Sequence, residues 1–483
     1  MKTSTPLKDS IVSGLLWKLL ERGGMQLVQF VIQIVLARLL DPKDYGILAI
    51  VTVFITFATT LVNNGLCNAI IQKQNSDELD FNTVFYLQFS VAAVCYAVLF
   101  FTAPFIADFY ENNELLIYIR IMALILFIEA CSAMQLTALK KKLEFRKSFF
   151  ANIAGVVIQG MVGIFLALQS FGIWSLILSQ IAMKLTIFIV LLFMVKWHPK
   201  RMFSINRFKH LFSYSWKLTV AWMIGTLHQQ VYSLVIGKCF STETLGYYNR
   251  GQNIPTTITT IANETISSVM FPALAKVQDD KNELKAYTRL MMKFAAFVVF
   301  PLMAGLAAVS ENFVYVVLTE KWAQSIHMMQ LFCISYGINI ISTTNMQAFN
   351  AYGRSDIFLK LEVVKRSLSL VLLFIAAQFD IYLVIIVLAA MGIFSLLYNT
   401  IPNRKILEYN VKEQLIDLLP AFIASILMFI VTLCVNFIPL PRSALLLLQV
   451  LIGVVTYLGF SLLVNRLNTL KFIKMGVKII IKR

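Results

Sequence analysis

Fourteen continuous apolar runs follow one another along this chain of 483 residues. They fall near 14–38, 46–68, 83–106, 115–137, 150–169, 173–195, 212–237, 250–274, 288–309, 325–349, 357–377, 381–401, 416–438 and 444–465. Each is long enough to cross a hydrocarbon core roughly 30 Å thick as an α-helix. A membrane β-barrel would instead show segments of about ten residues alternating in polarity. No soluble core fits either: 59% of the residues are hydrophobic and 14% charged, against roughly half and a quarter in soluble domains. The expected fold is therefore an all-α polytopic membrane protein of about fourteen transmembrane helices. The runs at 250–274 and 325–349 are the most polar and fit simple lipid-facing helices least.

The charge pattern orients the spans. An even number of spans puts both termini on one side, and the positive-inside rule selects that side. With the N-terminus inside, the inner segments hold Lys140, Lys141, Lys142, Arg146 and Lys147, then Lys196, Lys200, Arg201, Arg207 and Lys209. The tail adds Arg466, Lys471, Lys474, Lys478, Lys482 and Arg483. The outer segments hold only Lys43, Lys238, Lys321 and Arg442. The net charge of +17 is thus a topology signal and an attraction to anionic lipid, and it calls for no nucleic acid. No cleavable leader is expected, because the first apolar run carries Lys18, Glu21 and Arg22 and no small-residue cleavage pattern. The outer loops are short, which leaves no room for an external domain. The six cysteines are scattered without a C-x-x-C and read as small core residues, with neither disulfide nor metal. No P-loop, H-E-x-x-H or Gly-rich dinucleotide loop occurs, so the chain is expected to be no enzyme.

An internal repeat relates the first and seventh spans. Trp17-Lys18-Leu19 matches Trp216-Lys217-Leu218. After one inserted residue, Arg38 falls on Lys238, Gly46 on Gly246, Asn63 on Asn263 and Asn64 on Glu264. A match in the same direction implies two six-helix lobes related by an axis along the membrane normal, with a pathway between them. The expected division is 1–211 for spans 1–6, 212–410 for spans 7–12, and 411–483 for spans 13–14 with the basic tail.

Three stretches resemble a known family. ARLLDPKDYG (Ala37 to Gly46) is similar to the first-loop signature of the polysaccharide transporters. YNRGQNIPTTITTIANETISSVMFPALAKVQ (Tyr248 to Gln278) resembles their eighth helix, and KLEFRKSFFANIAGVVIQGMVGIFLALQSFGIWSL their fourth-to-sixth helix region. The resemblance covers nearly the whole chain. It points to the Wzx-like and colanic-acid-exporter-like flippases of the multidrug/oligosaccharidyl-lipid/polysaccharide superfamily. It implies a bacterial inner-membrane flippase for an undecaprenyl-pyrophosphate-linked oligosaccharide. The implied partners are membrane lipid, that lipid-linked oligosaccharide and a polysaccharide polymerase or export machinery.

Ionisable groups at membrane depth are costly and face a cavity or a partner. Lys18, Arg22, Gln26, Gln29 and Gln33 share one face of the first span, at steps of three and four. The second carries Thr52, Thr56, Thr60 and Asn63. The eighth carries Asn253, Thr256, Thr257, Thr260, Asn263, Glu264 and Ser267; the tenth Asn339, Ser342, Thr343, Gln347 and Asn350; the eleventh Lys360, Glu362, Lys365 and Arg366. Two readings stand for such residues: the lining of a water-filled cleft, or hydrogen bonds between packed helices. Single Ser and Thr residues favour the second, and whole stripes holding charges favour the first. Gln29, Asn63, Asn263 and Asn339 are the expected polar lining. The pyrophosphate that the resemblance implies needs cations. Lys18, Arg22, Lys217, Arg250, Lys365 and Arg366 are the candidates, against the alternative that those near helix ends snorkel to the interface. Glu129 and Glu264 have no cation nearby in sequence; each fits a coupling Na+ or H+ site, or a structural carboxyl. No cofactor is expected. His228, with Gln229 and Gln230, faces the same choice and reads as a hydrogen-bonded structural residue.

Two other functions stay open on the sequence. A multidrug exporter or a peptidoglycan-precursor (lipid II) transporter belongs to the same superfamily, though drug export predicts an acid-lined cleft. A membrane polysaccharide polymerase or glycosyltransferase would need a substantial external loop.

Overall fold

Among the described residues the apolar runs lie on helices, although those near 46–68 and 115–137 are each divided between two consecutive helices. A computed structural model describes residues 25–481 apart from 27, 64, 74, 278–279 and 352–354. Nine stretches among the described residues are long and apolar enough to cross a membrane, and the described residues contain no strand. The chain is a multi-pass, all-α membrane protein. Its exterior agrees: Phe101, Phe105, Phe193 and Leu463 are more than 70% exposed, which is tolerable only where lipid is the solvent.

Two compact units divide the chain, Met1–Gly246 and Tyr247–Arg483. The first begins with α1 (Val28–Leu39), then α2 (Pro42–Asn63), α3 (Leu66–Gln72), α4 (Glu78–Phe109), α5 (Glu114–Met122) and α6 (Ile125–Lys141). It continues through α7 (Phe145–Leu168), α8 (Ile173–Met194) and α9 (Ile205–Cys239) to the first turn of α10 (Thr242–Lys276). The helix α9, which the sequence assigns to a lobe starting at 212, packs in this unit on α2, where Thr60 and Thr226 hydroxyls meet at 3.4 Å. Gly65, with φ of 79°, ends α2; the left-handed backbone there suits glycine and turns the chain into α3. Ile32 and Leu36 of α1 pack with Val156, Ala167 and Leu176 of α7 and α8. Of the stripe residues, Gln26 and Gln33 are exposed and Gln29, three residues before Ile32, is half-buried.

The second unit carries the rest of α10 and then α11 (Lys281–Phe313), α12 (Ser325–Ala351), α13 (Ser355–Ala376), α14 (Ile381–Leu407), α15 (Val411–Cys434) and α16 (Arg442–Ile481). Its apolar centre includes Ala424, Met428 and Tyr457, packed against Phe297 and Phe460. The helices outside the nine apolar stretches are α1, α9, α10, α12 and α13. Four of these carry polar stripes, as α2 also does among the nine, and α9 is the repeat partner of the first. The cysteines correct one expectation: Cys333 is buried, but Cys239 and Cys434 are exposed at the ends of α9 and α15. All six are unpaired with one another.

Candidate functional site: charged and polar groups within the spans

The first unit holds an ion pair at mid-depth. Glu129 lies near the middle of the Glu114–Lys141 span and Lys184 near the middle of α8. Lys184 Nζ is 2.5 Å from Glu129 Oε1. Asn63, at the last position of α2, donates its amide to Glu129 Oε2. Both carboxylate oxygens are thereby engaged, and the charges cancel. The carboxylate that has no cation nearby in sequence takes one from a different helix. The Glu129 side chain is 13% exposed and that of Lys184 37%, so the pair is buried on the acid side and open on the ammonium side. Lys184 escaped the sequence reading because it is a single cation in an otherwise apolar run; its central position in that run is the signal that marks it.

The second unit brings Lys365 and Arg366 onto one acid. Lys365 Nζ is 2.5 Å from Glu362 Oε1, and Arg366 Nε donates to Glu362 Oε2 at 3.0 Å. Two cations share one carboxylate, which leaves a net positive charge on α13. Lys365 is buried and Arg366 half-buried. Arg250 of α10 is also buried, with its guanidinium 5.1 Å from the centre of the Trp322 ring, a cation–π contact.

The other candidates are dispersed. Asn263 accepts from Thr343 of α12 at 2.8 Å, a bond between packed helices. Lys217, Glu264 and Asn339 are exposed, and Gln29 is half-buried. Lys18 and Arg22 lie outside the described residues, as do the side chains of Ser267 and Asn350. Ser342 is buried and accepts from Asn399 at 2.6 Å, so it leaves the stripe it was assigned to. A polar ladder unforeseen in the sequence runs beside it: Asn403 donates to Asn345 at 2.6 Å, and Asn345 to Gln414 at 2.9 Å. It ties α14, α12 and α15 together where apolar packing alone would leave their register loose.

Each unit also clamps a buried aspartate near one end of its spans. Asp80 near the start of α4 is fully buried, 2.5 Å from Lys73 and 3.5 Å from Arg207. Asp77 caps the same helix. The Asp80 backbone N–H donates to it at 2.9 Å and holds its carboxyl below the usual carboxylate range, with Arg207 adding to the effect. Lys141 donates to the Lys73 carbonyl at 2.7 Å, closing the end of α3. In the second unit Asp417 is held by Arg289, Lys293 and Tyr409.

The relatives agree with this architecture. A family model described as "Polysaccharide biosynthesis protein" matches residues 35–327. The chain belongs to this family. It is 27% identical to the lipopolysaccharide biosynthesis protein WzxC of Escherichia coli (strain K12) over 382 residues, covering 77% of this chain and 76% of the relative. It is 24% identical to the teichuronic acid biosynthesis protein TuaB of Bacillus subtilis (strain 168), covering 73% of each. The lipid II flippase MurJ in an inward closed conformation shares the fold, with a TM-score of 0.75 over 94% of this chain and 99% of that one, at 15% identity.

Proposed function

We propose that the chain is a flippase that moves an undecaprenyl-pyrophosphate-linked oligosaccharide, the repeat unit of an O-antigen, capsule or exopolysaccharide, across the bacterial inner membrane by alternating access. The observation that carries this reading is a set of cations inside the spans of a polysaccharide biosynthesis protein. Lys184, Arg250, Lys365 and Arg366 suit an anionic head group, and the polyprenyl tail stays in lipid. Both termini face the cytoplasm in this reading, where the inner-loop cations meet anionic lipid. A Na+ or H+ gradient drives the cycle, with Glu264 as the acid that can take the ion; Glu129, the other sequence candidate, is already neutralised by Lys184. The same cations disfavour export of cationic drugs. Lipid II transport shares only the fold with this chain, and the chain acts as a transporter, not as a polymerase.

Deletion of the gene in its host is expected to trap lipid-linked repeat units in the inner leaflet and to remove the surface polysaccharide. Repeat units reaching the outer leaflet at normal rates in the deletion strain would refute the reading. Within the site, Arg22→Gln and Arg366→Gln are each expected to lower surface polysaccharide about tenfold at unchanged protein level, in line with the loss of one charge-assisted hydrogen bond. Unchanged polysaccharide in both variants would remove these two residues from the site.

A further inference from the structure

We infer that Lys184 is the anion-binding cation of the first unit, and that Glu129 is a placeholder that holds it until a pyrophosphate group arrives. The inference rests on the flippase reading and adds to it a residue, a partner and an exchange. Lys184 lies midway along α8, with apolar residues for a turn or more on either side, apart from neighbouring Thr186 and Gln180. An ammonium at that depth cannot snorkel to either interface from the centre of a 22-residue helix. Its side chain is nevertheless 37% exposed. Exposure to hydrocarbon at that depth is costly, so the open side of the ammonium faces a hydrated space within the protein. An ammonium has three donors. Among the described residues, Glu129 is the acceptor recorded for it, which leaves donors on the exposed side for an incoming anion.

Glu129 is arranged to compete but not to win outright. Its carboxylate is fixed from behind by the Asn63 amide, and its backbone carbonyl accepts from Ser132 at 3.2 Å. It is one monovalent acid against a pyrophosphate, which carries more charge and more acceptor oxygens. In the empty state the pair keeps mid-membrane charge neutral, since an unpaired charge there is strongly destabilising. When a pyrophosphate arrives, Lys184 turns its free donors to it, while Glu129, still held by Asn63, stays beside the ammonium so that neither charge is stranded. Glu129 and Asn63 are positioning residues, and Lys184 is the group that touches cargo.

The test uses the full chain in nanodiscs of zwitterionic lipid, with farnesyl pyrophosphate as the probe and farnesol as its uncharged control. Lys184→Gln alone strands Glu129, so the informative variant is the neutral double K184Q/E129Q. It is expected to keep the wild-type thermal midpoint while binding farnesyl pyrophosphate about tenfold or more weakly, the loss of a charge-assisted hydrogen bond. Lys184→Arg is expected to retain binding. Glu129→Gln alone is expected to tighten it severalfold by removing the competitor. If the double variant binds as the wild type does, Lys184 is only a structural counter-charge and this inference fails alone. If the wild type binds farnesyl pyrophosphate no better than farnesol, the flippase reading fails and takes this one with it. If phosphatidylglycerol displaces the probe as well as inorganic pyrophosphate does, the ammonium is a phospholipid site, and the assignment to cargo is overturned.

Discussion

Gly46→Val and Gly246→Val are each expected to abolish the accumulation of folded protein, and even alanine at either position is expected to lower stability sharply. The reason is a contact between backbones. A Cβ added at Gly46 would lie 1.6 Å from the Thr242 carbonyl oxygen, and one at Gly246 would lie 2.0 Å from that of Pro42. Each glycine thus meets the carbonyl four residues before the other, where the first turns of α2 and α10 cross. Such close crossings are how membrane helices gain packing without a hydrophobic drive. No side chain can rotate away to relieve the clash, so the helices must separate and give up their contact. Overpacking of a tight site costs about 1–3 kcal/mol or more, and a clash with main chain belongs at the upper end. The two substitutions share one contact, so G46A/G246A is expected to cost little more than either alone. Gly225→Ala is the control: nothing lies within 4 Å of its added Cβ, and alanine there removes a helix-interior glycine penalty. Thermal unfolding in detergent and steady-state level in the membrane read all six variants. A wild-type midpoint for G46A would show that the crossing opens without loss.

That contact shows how far the sequence reaches. The repeat aligns Gly46 with Gly246, but alignment alone treats them as equivalent positions in two copies. It does not say that the two copies of one position touch each other. Apolar runs announce helices because every backbone group in lipid must be satisfied within its own segment, and that requirement is local. The five less apolar helices are legible for the same reason, since Gln29 or Lys365 changes the composition of its own span. Ion pairs are a different kind of information. Glu129 and Lys184 are 2.5 Å apart in space but lie in separate spans, and nothing in either run names the other. Lys365, Arg366 and Glu362 were readable because their partners sit three and four residues away on one helix. Asn345 and Gln414 were not, because Asn345 is one more polar residue in an already polar span, Gln414 sits in the charged lead-in to its own, and neither sequence names the facing helix.

Removing both cations beside Asp417 is expected to damage the protein more than removing Asp417 itself. Asp417 is the buried member of the cluster, 3% exposed, whereas Arg289 and Lys293 are 35% and 27% exposed. Arg289 grips it through Nε at 2.6 Å and Nη2 at 2.8 Å, Lys293 lies 3.0 Å away, and the Tyr409 hydroxyl donates at 2.9 Å. In R289M/K293M the carboxylate stays buried with the Tyr409 hydroxyl as its remaining donor in the cluster. An uncompensated buried charge costs about 3–5 kcal/mol. In Asp417→Asn the two cations lose their acceptor but are open enough to be rehydrated, and Arg289 keeps Glu413 at 3.9 Å. That change is expected to cost about 1.5–3 kcal/mol, the range for hydrogen bonds to charged groups. Adding D417N to R289M/K293M is then expected to restore most of the loss, because the charge that lacked a partner is gone. The measurement is the apparent thermal midpoint in detergent across the set. Equal losses in R289M/K293M and D417N, or a triple variant that is worst of all, would mean that the cluster stabilises α11 against α15 by packing and not by compensating a buried charge.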